Sequence, residues 1–551
     1  DGAAKAVIAG EMLEVAKQRF ELMKIAAEEK PEVVLRNLVP SKTRAKLSPE
    51  VAQYVEKEVT KEGTFRWYVS DEVSSSKNLL YIETSDSQSK LTFPLGVDYP
   101  KAYSGARIRV DGVQVADRLV VSDRDSSIDV LNLAPSAANS KVVVIMFNFA
   151  NLTAQPVTAD QVRNNLFTGP TSAKSYFQEV SGGVQTITSV GNPNGDVFGW
   201  VTIPNSYNND CQSGGQTNMA NVTAWSNAAD QIVVSNGVKL AQYDKVMYLF
   251  PHINCTFAGL GEMGGRRSWI NTVLADSGLL AHELGHNFGR SHASALRCVN
   301  ASGANVQVSD NCFQTSGEEY GDNFDIMGNS TSMKHMSGYN KSLHNYGQQS
   351  WLDAGEIRTL SPSSNPSGTY NLIPLYTGGA GGSPNASRVI RIPKTLTYST
   401  PNQASQPLDG HYYLEYRQPV GYDANGGSNF YDGLSIRFGV DQDSAGARNS
   451  QMLDMNPSTN TFGDAPLAVG QTFTDSSANI TIRLDSISAS GAVVTINLGT
   501  AAPVCQPSAP TITVSPAQAS GTAGQSVNYS MTLRSNDSVG CAPNAFLVAP
   551  V

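Results

Sequence analysis

The residues best suited to chemistry lie in one window, which reads His-Glu-Leu-Gly-His-Asn-Phe-Gly-Arg-Ser-His over 282–292. Three of the seven histidines of the chain fall inside it. Residues four apart share one face of an α-helix, so His282 and His286 can point at the same ion. Gly289 tolerates the left-handed backbone that often ends a helix, and the turn lets His292 add a third nitrogen.

Three imidazoles in this arrangement predict a catalytic zinc site, because they leave one coordination position open. Glu283 is rotated by about 100° around the helix from His282, so it can face a water molecule without binding the metal. We therefore predict His282, His286 and His292 as zinc ligands and Glu283 as a general base. The alternative is a surface helix that carries histidines by chance, and the glycine and third histidine in register argue against it.

A second motif, Glu-Tyr-Gly-Asp-Asn-Phe-Asp-Ile-Met-Gly over 319–328, predicts a turn that places Met327 under the zinc site. The long histidine motif followed by a methionine turn resembles the metzincin metalloproteases, and the Asp-Ile-Met-Gly form is similar to their gametolysin-like branch. The resemblance extends over roughly residues 140–360. It implies a zinc-dependent peptidase whose α/β catalytic domain has a mixed sheet and an active-site helix, with Met327 supporting the site without binding the metal.

This chain departs from some metzincins at the position of a tyrosine that can assist the transition state. Some metzincins carry a tyrosine two residues after the methionine, and here that position is Asn329. Tyr320, Tyr339 and His335 are nearby in sequence. We assign none of them a catalytic role, because packing or a surface position is the preferred interpretation for each.

The substrate cleft is expected beside the glycine-rich segment 259–265. In metzincins the strand before the zinc helix is a sheet edge, and an extended peptide can pair with such an edge through its backbone. Gly261, Trp269, Tyr320 and Tyr339 are the cleft candidates. The alternative is a glycine-rich surface loop. A phosphate cradle is not favoured, because no helix and acidic partner follow in a βαβ unit.

Length and charge restrict the class of protein. The chain has 551 residues, a formal net charge of −9 and a pI of about 5.4. This length predicts three or four domains. The lack of a long basic run argues against a nucleic-acid partner, and no apolar stretch is long enough to cross a bilayer. Because the chain begins at Asp1, we expect that a leader was removed or lies outside the numbering. We also expect a monomer.

The six cysteines form an even set that fits an oxidising, extracellular compartment. They fall in sequence pairs, from which we predict the disulfides Cys211–Cys255, Cys298–Cys312 and Cys505–Cys541. Free buried thiols in a cytosolic protein are the alternative. A cysteine-rich metal site is not favoured, because no Cys-x-x-Cys occurs.

Residues 1–135 are predicted to be an α+β prosegment. A helix is expected over 3–30, a second opens at Ser48-Pro49 and runs to about Val59, and Asp111-Gly112 indicates a tight hairpin. In secreted proteases such a unit often aids folding and blocks the cleft. A permanent accessory domain is the alternative.

A prosegment of this kind cannot use a cysteine to silence the zinc, because none precedes Cys211. It must use a carboxylate, a carbonyl or steric cover. Asp111 and Asp123 are candidate carboxylates that the sequence does not rank.

The zinc metalloprotease catalytic domain is predicted over 136–362, with buried strands at 141–150 and 245–250. Alternating strands rich in glycine, serine and threonine predict a β-sandwich accessory domain over 363–502 and a partial immunoglobulin-like β module over 503–551. Calcium is considered for loop carboxylates, but without EF-hand spacing solvated carboxylates are preferred; the residues concerned are Asp423, Asp432, Asp441 and Asp443.

These observations predict a secreted zinc-dependent endopeptidase, made as a zymogen, that acts on proteins or peptides such as extracellular-matrix or cell-surface glycoproteins. An alternative is an adhesin-like protein that binds matrix or cell-surface glycans and proteins, with a secondary or inactive protease unit. A zinc hydrolase of non-peptide substrates would share the histidine motif but not the methionine turn.

Overall fold

The computed structural model describes residues 2–536 apart from a set of short internal segments. Those outside the description are 73–74, 95–96, 98, 124–126, 135–137, 272–273, 344–347, 363–366, 378–386, 402, 427, 441–448, 500–507, 523–525, 527 and 535. Cys505 and Cys541 lie outside the described residues, as do Asp441 and Asp443.

The N-terminal region combines helices with a small barrel. Its helices are α1 (Gly2–Glu29), α2 (Pro31–Arg36), α3 (Ser41–Arg44) and α4 (Pro49–Ala52), and its strands are β1 (Lys57–Glu72), β2 (Ser76–Glu83), β3 (Gln88–Thr92), β4 (Arg107–Val115), β5 (Arg118–Val121) and β6 (Ile128–Asn132). The pairings close in the order β1, β2, β3, β5, β4 and back to β1, and β6 is added to β4. Apolar side chains that alternate along these strands fill the barrel.

Two local predictions for this region are wrong. The second helix ends at Ala52, residues 53–56 form a turn and its exit, and the last residues of the predicted span, from Lys57 on, belong to β1. Gly112 lies inside β4, where a Cβ atom would come within 2.4 Å of the Val120 carbonyl oxygen. The glycine therefore serves close strand packing, and the turn comes after β4, where Ala116 has a φ of 51°.

The central region carries a mixed sheet between helices. Its elements are β7 (Asn139–Phe149), α5 (Ala159–Arg163), a π-helical turn (Asn164–Thr168), α6 (Ala173–Val180), β8 (Thr186–Thr188), β9 (Asp196–Ile203), β10 (Gln212–Ser213), β11 (Gln216–Thr217), α7 (Met219–Ser235), β12 (Lys245–Phe250), β13 (Phe257–Glu262), β14 (Arg267–Asn271) and α8 (Ser277–Asn287). The sheet order is β13-β14-β12-β7 with β8 and β9 on β7, and only the β13–β14 pairing within it is antiparallel. Apolar clusters place α8 against one face and α7 against the other.

The N-terminal barrel and the central sheet form one continuous twelve-stranded sheet. Strand β1 pairs antiparallel with β13, with Val69 opposite Gly261 and Asp71 opposite Gly259. Because side chains alternate between the faces of a strand, Val69 and Asp71 share one face of β1. Residues 1–135 therefore cover the edge that β13 would otherwise expose.

The chain after α8 builds a second barrel. Its elements are β15 (Ala293–Val299), β16 (Asn305–Val306), β17 (Cys312–Phe313), α9 (Gly338–Ser342), β18 (Ile357–Thr359), β19 (Gly368–Leu372), β20 (Val389–Thr400), β21 (Gln403–Glu415), α10 (Ser428–Tyr431), β22 (Gly433–Val440), β23 (Ser450–Leu453), β24 (Leu467–Ala468), β25 (Thr472–Asp475), β26 (Ile480–Ser488) and β27 (Gly491–Leu498). The six strands β15, β17, β20, β21, β22 and β23 close in that order, because β23 pairs with β15. The four-stranded sheet β19-β27-β26-β25 shares the apolar core of this barrel.

This barrel departs from the predicted β-sandwich over 363–502. Strands β15 and β17 come from the chain before residue 362, and they complete a six-stranded barrel whose other four strands follow it. The predicted boundary at 362 therefore does not separate two hydrogen-bonded units. Alternation of apolar residues identifies strands but does not name their partners, and for that reason the sequence does not reveal the shared barrel.

Two of the three predicted disulfides are present, Cys211–Cys255 and Cys298–Cys312. Strands β28 (Thr511–Ser515) and β29 (Ser530–Arg534) form an exposed two-stranded sheet, which is the part of the predicted immunoglobulin-like module that the structure describes. Among the described helices, none has both the length and the apolar character needed to span a bilayer.

Candidate metal centre and active site

Helix α8 begins and ends through local interactions that its sequence supplies. The Asp276 side chain caps its start by accepting hydrogen bonds from the amides of Gly278 and Leu279, each 3.1 Å long. At the other end Gly289 has a φ of 73°, and its amide donates to the His286 carbonyl over 2.8 Å. This left-handed residue reverses the chain, so that His292 returns towards the helix.

Three imidazoles and one carboxylate meet at the end of this turn. The Nε2 atoms of His282 and His286 lie 3.3 and 3.2 Å from Oδ2 of Asp71, and Nε2 of His292 lies 2.9 Å from Oδ1. All four side chains are buried. Asp71 comes from strand β1 of the N-terminal barrel, so the cluster joins that barrel to α8 and the turn after it.

The opposite nitrogen of each ring is held by an acceptor. His282 Nδ1 lies 3.0 Å from the Ile326 carbonyl oxygen, His286 Nδ1 lies 2.9 Å from that of Arg290, and His292 Nδ1 lies 2.9 Å from Oε1 of Glu319. Carbonyls and carboxylates accept, so Nδ1 carries the proton in each ring. In its neutral form each ring directs an Nε2 lone pair into the cluster, as in metal-binding histidines whose other nitrogen is hydrogen-bonded.

The donor set fits a metal ion. Nε2 of His286 and Nε2 of His292 are only 3.1 Å apart, and two lone pairs at that distance need a proton or a cation between them. Within the part of the chain that the structure describes, Nε2 of His282 and Oδ2 of Asp71 are buried without a hydrogen-bond partner. These four residues form a group that could hold one metal ion.

Charge in the cluster also favours a cation. Burial alone disfavours a charged imidazole, yet Asp71 and Glu319 raise the pKa of His292 to about 10. Burial lowers the pKa of His286 to about 4, so that ring stays neutral. Burial opposes the charge of Asp71 as well, but the nearby His292 and His286 hold the pKa of that carboxyl well below its ordinary value.

Glu283 lies beside the cluster in a space that two glycines create. A Cβ atom on Gly259 would come within 1.8 Å of Oε1 of Glu283, and one on Gly261 would come within 2.8 Å of the His286 Cβ. The Glu283 carboxylate is fully buried, and neither of its oxygens has a hydrogen-bond partner among the described residues. Burial raises the pKa of Glu283 well above its ordinary value, and the charge of Asp71 adds to this effect.

Met327 is buried beneath α8. A Cβ atom on Gly285 would come within 2.7 Å of its sulfur, so the absence of a side chain at 285 lets the methionine approach the helix. Oδ1 of Asp325 accepts from the Met327 amide over 2.8 Å, which shapes the turn. Asp322 pairs with Arg437 of β22 over 2.7 Å, which ties the turn to the second barrel.

The cleft candidates separate into two groups. Gly261 and Tyr320 are at the cluster: the Tyr320 ring centroid is 4.8 Å from that of His292, and its hydroxyl donates to Oδ1 of Asp71 over 3.0 Å. Trp269 faces α7 on the opposite side of the sheet, where its indole donates to Ser226 over 2.6 Å. Tyr339 packs against barrel residues, with its hydroxyl 3.2 Å from the Val440 carbonyl oxygen.

The structure therefore places Trp269 and Tyr339 away from the histidine cluster, in contrast to the prediction that they line the cleft. Strand alternation turns Ile270 towards α8 and Trp269 away from it. Asn329 caps a 3₁₀ turn by accepting from the Thr331 amide over 3.2 Å. His335 is buried between Glu179 and Lys341, each 2.9 Å away. None of these four side chains has a described contact with the three histidines.

The carboxylates at the cluster differ from those that the sequence suggested. Asp111 hydrogen-bonds Thr60 in the barrel, and Asp123 is exposed, whereas Asp71 meets the histidines. Asp71 has no sequence signal beyond its place at the end of an alternating strand. Glu319 could have been found, because it stands in the Glu-Tyr-Gly-Asp segment and a ligand imidazole needs an acceptor at its other nitrogen.

The calcium hypothesis receives no support from Asp423. This carboxylate is buried, accepts from the His335 amide over 3.0 Å and pairs with Arg417 over 3.2 Å. Arg417 already neutralises it. It is therefore not the solvated loop carboxylate that the sequence suggested.

Comparison with protein families matches residues 141–299 to the gametolysin peptidase M11 family. The matched segment runs from β7 to the end of β15, so it includes α8 and all three histidines. The match supports a peptidase, and within the peptidases a gametolysin-like metallopeptidase. A search of curated proteins finds no match to this chain.

Proposed function

We propose that this chain is a zinc-dependent endopeptidase that is secreted as a zymogen. The observation that carries the proposal is the convergence of His282, His286 and His292 on the carboxylate of Asp71, with Glu283 buried beside them. The family match adds that the substrate is a protein or peptide.

Zinc is the proposed metal because three imidazole nitrogens and one further ligand are typical of a zinc centre of the catalytic kind. His282, His286 and His292 would hold the ion, with Asp71 as the fourth ligand in the zymogen. When bound, zinc would polarise the peptide carbonyl and make water acidic enough to act as a nucleophile near neutral pH. Met327 would support the helix from below without contacting the metal.

Glu283 is proposed to move the proton in peptide hydrolysis. Its carboxylate takes one proton as the water oxygen bonds to the carbonyl carbon, and returns it to the amide nitrogen as the carbon–nitrogen bond breaks. The products are a carboxylic acid and an amine, so no other reactant is consumed. The pocket beside Gly259 and Gly261 supplies the space in which this carboxylate reaches the substrate.

The edge strand β13 is proposed to bind the substrate backbone. In the structure β1 occupies that edge through an antiparallel ladder from Tyr68 opposite Glu262 to Glu72 opposite Phe257. A bound peptide would take the place of β1, because strand addition to an open edge uses the same backbone hydrogen bonds. The glycines at 259 and 261 leave that face of the edge open towards Glu283 and His286.

Residues 1–135 are proposed to keep the enzyme latent. Strand β1 covers the substrate edge, and Asp71 fills the position that water would take at the metal. Further contacts hold this arrangement: Ser76 donates to Glu319 over 2.8 Å, and the Tyr103 hydroxyl donates to the Gly289 carbonyl over 3.2 Å. Activation then requires the removal or displacement of β1.

Secretion is proposed from the two disulfides, since such bonds persist in oxidising compartments. The adhesin-like alternative has less support, because the second barrel includes β15, the strand that follows His292 directly. The Ser450 amide donates to the His292 carbonyl over 3.0 Å. This barrel therefore helps to position the third histidine, which is a role within the catalytic unit and not a separate binding function.

Metal removal tests the proposed function. We expect the full chain, activated after folding by limited proteolysis, to cleave unfolded casein, to lose this activity with a zinc chelator and to regain it when one equivalent of zinc is returned. Magnesium and calcium should not restore cleavage, because imidazole donors favour zinc over these ions. Cleavage that persists in metal-free protein would refute the proposal.

A further inference from the structure

The hydroxyl of Tyr320 is bonded only to the prosegment in the described hydrogen-bond network. It donates to Oδ1 of Asp71 over 3.0 Å and to the carbonyl oxygen of Ser75 over 3.3 Å. Both acceptors belong to residues 1–135, whereas Tyr320 itself precedes the methionine turn. Once β1 leaves, this hydroxyl loses both partners while its own chain segment stays in place.

Tyr320 is anchored independently of the prosegment. The Ser294 hydroxyl donates to the Glu319 carbonyl over 2.7 Å, and the Gly321 amide donates to the Glu318 carbonyl over 3.0 Å. The Tyr320 ring packs against His292, with ring centroids 4.8 Å apart. These contacts aim the hydroxyl at the histidine cluster without help from β1.

The Asp71 carboxylate shows the position at which this site accommodates a negatively charged oxygen. Its Oδ1 atom lies 2.9 Å from His292 Nε2 and 3.0 Å from the Tyr320 hydroxyl. A carboxylate oxygen next to the metal position has the charge and size of the oxygen that a peptide carbonyl presents when water adds to it. Donors that stabilise such an oxyanion lie about 2.7–3.1 Å from it, and Tyr320 meets this distance.

We infer that Tyr320 is a catalytic residue of the proposed peptidase, whose hydroxyl donates a hydrogen bond to the carbonyl oxygen of the scissile peptide as that oxygen becomes negative. The inference rests on the proposed function. It assigns the stabilisation of the oxyanion to a tyrosine that precedes the methionine turn. Asn329, which follows that turn, caps a 3₁₀ turn instead. Asp71 and the substrate oxygen then compete for the same donor.

Tyr320→Phe tests the inference, because it keeps the ring against His292 and removes only the hydroxyl. In the activated full chain we expect kcat to fall by about 10²-fold with little change in KM and in zinc content. Binding of a phosphinic peptide, whose tetrahedral centre resembles the transition state, should weaken by a similar factor, while binding of a product peptide should not change. Tyr207→Phe is the matched control, since its hydroxyl bonds Asn254 and contacts none of the three histidines.

The outcomes separate the two proposals. If wild type fails to cleave any protein, the peptidase proposal fails before Tyr320 is tested. If wild type is active and Tyr320→Phe has the same kcat and the same phosphinic peptide affinity, the catalytic role is overturned. Faster activation of the Tyr320→Phe precursor without a loss of kcat would show that the hydroxyl serves only to hold Asp71.

Discussion

Replacing Glu283 with glutamine is expected to lower kcat of the activated protein by about 10³-fold while zinc content and fold are retained. Glutamine has nearly the same shape but cannot accept the proton of the attacking water. The pocket beside Gly259 and Gly261 accepts a side chain of this size. Because the Glu283 oxygens have no hydrogen-bond partner among the described residues, the amide replaces no structural contact there.

The measurement is steady-state cleavage of a fluorogenic peptide together with zinc analysis of the same sample. Glu179→Gln is a matched control, since this carboxylate bonds His335 and has no described contact with the three histidines of the cluster. It should keep the wild-type kcat. A Glu283→Gln protein that holds zinc and still cleaves at the wild-type rate would exclude Glu283 as the general base.

Replacing Asp71 with alanine is expected to release latency in the full, uncleaved chain. The carboxylate is attached to the same molecule, so its effective concentration at the metal is on the order of millimolar or higher. Its loss should raise the cleavage of a short peptide by the precursor roughly 10- to 100-fold. The cleavage rate should stay below that of the chain from which β1 has been removed, because β1 still pairs with the substrate edge β13.

The same variant should also lose its prosegment faster, which electrophoresis over time would record. Asp71→Asn keeps the shape without the charge and should fall between wild type and Asp71→Ala. Asp111→Ala serves as the control, because Asp111 contacts Thr60 in the same barrel but not the histidines. A folded, zinc-loaded Asp71→Ala precursor that is as inactive and as stable as wild type would refute the role of Asp71 in latency.

The parts of the site that the sequence predicts are those fixed by local geometry. The four-residue spacing brings His282 and His286 to one face of α8, and Gly289 adopts the left-handed conformation that returns His292. Met327 lies under the helix because Gly285 leaves room for it. The first two relations depend on residues that are close in the chain, and the third joins two motifs that the family resemblance links.

Asp71 illustrates what local patterns cannot reveal. Its position at the cluster follows from the register of β1 on β13, and that register depends on the closure of the whole N-terminal barrel. A shift of one residue would turn Asp71 to the α7 face and Ser70 towards the histidines. The sequence therefore indicates that a carboxylate could silence the site, but it does not distinguish Asp71 from Asp111 or Asp123.

The predicted domain boundary at 362 divides strands that hydrogen-bond to one another, for a related reason. The change in composition after this position is real, yet β15 pairs with β23, so the chain on both sides of 362 forms one barrel. Trp269 shows the same limit on a smaller scale, since only the order of strands in the sheet decides which helix it faces. Pairing between distant strands determines both the shared barrel and the face on which Trp269 lies. The local sequence pattern does not indicate which strands pair.

X-ray absorption at the zinc edge of the purified full chain tests whether three histidines and Asp71 hold one zinc ion. We expect one zinc ion per chain with four ligands, three imidazole nitrogens and one oxygen, at about 2.0–2.1 Å. The imidazole contribution should decrease in His286→Ala, and the oxygen contribution should change in Asp71→Ala. A full chain without a bound transition metal, or a zinc ion without histidine ligands, would refute the proposed zinc site.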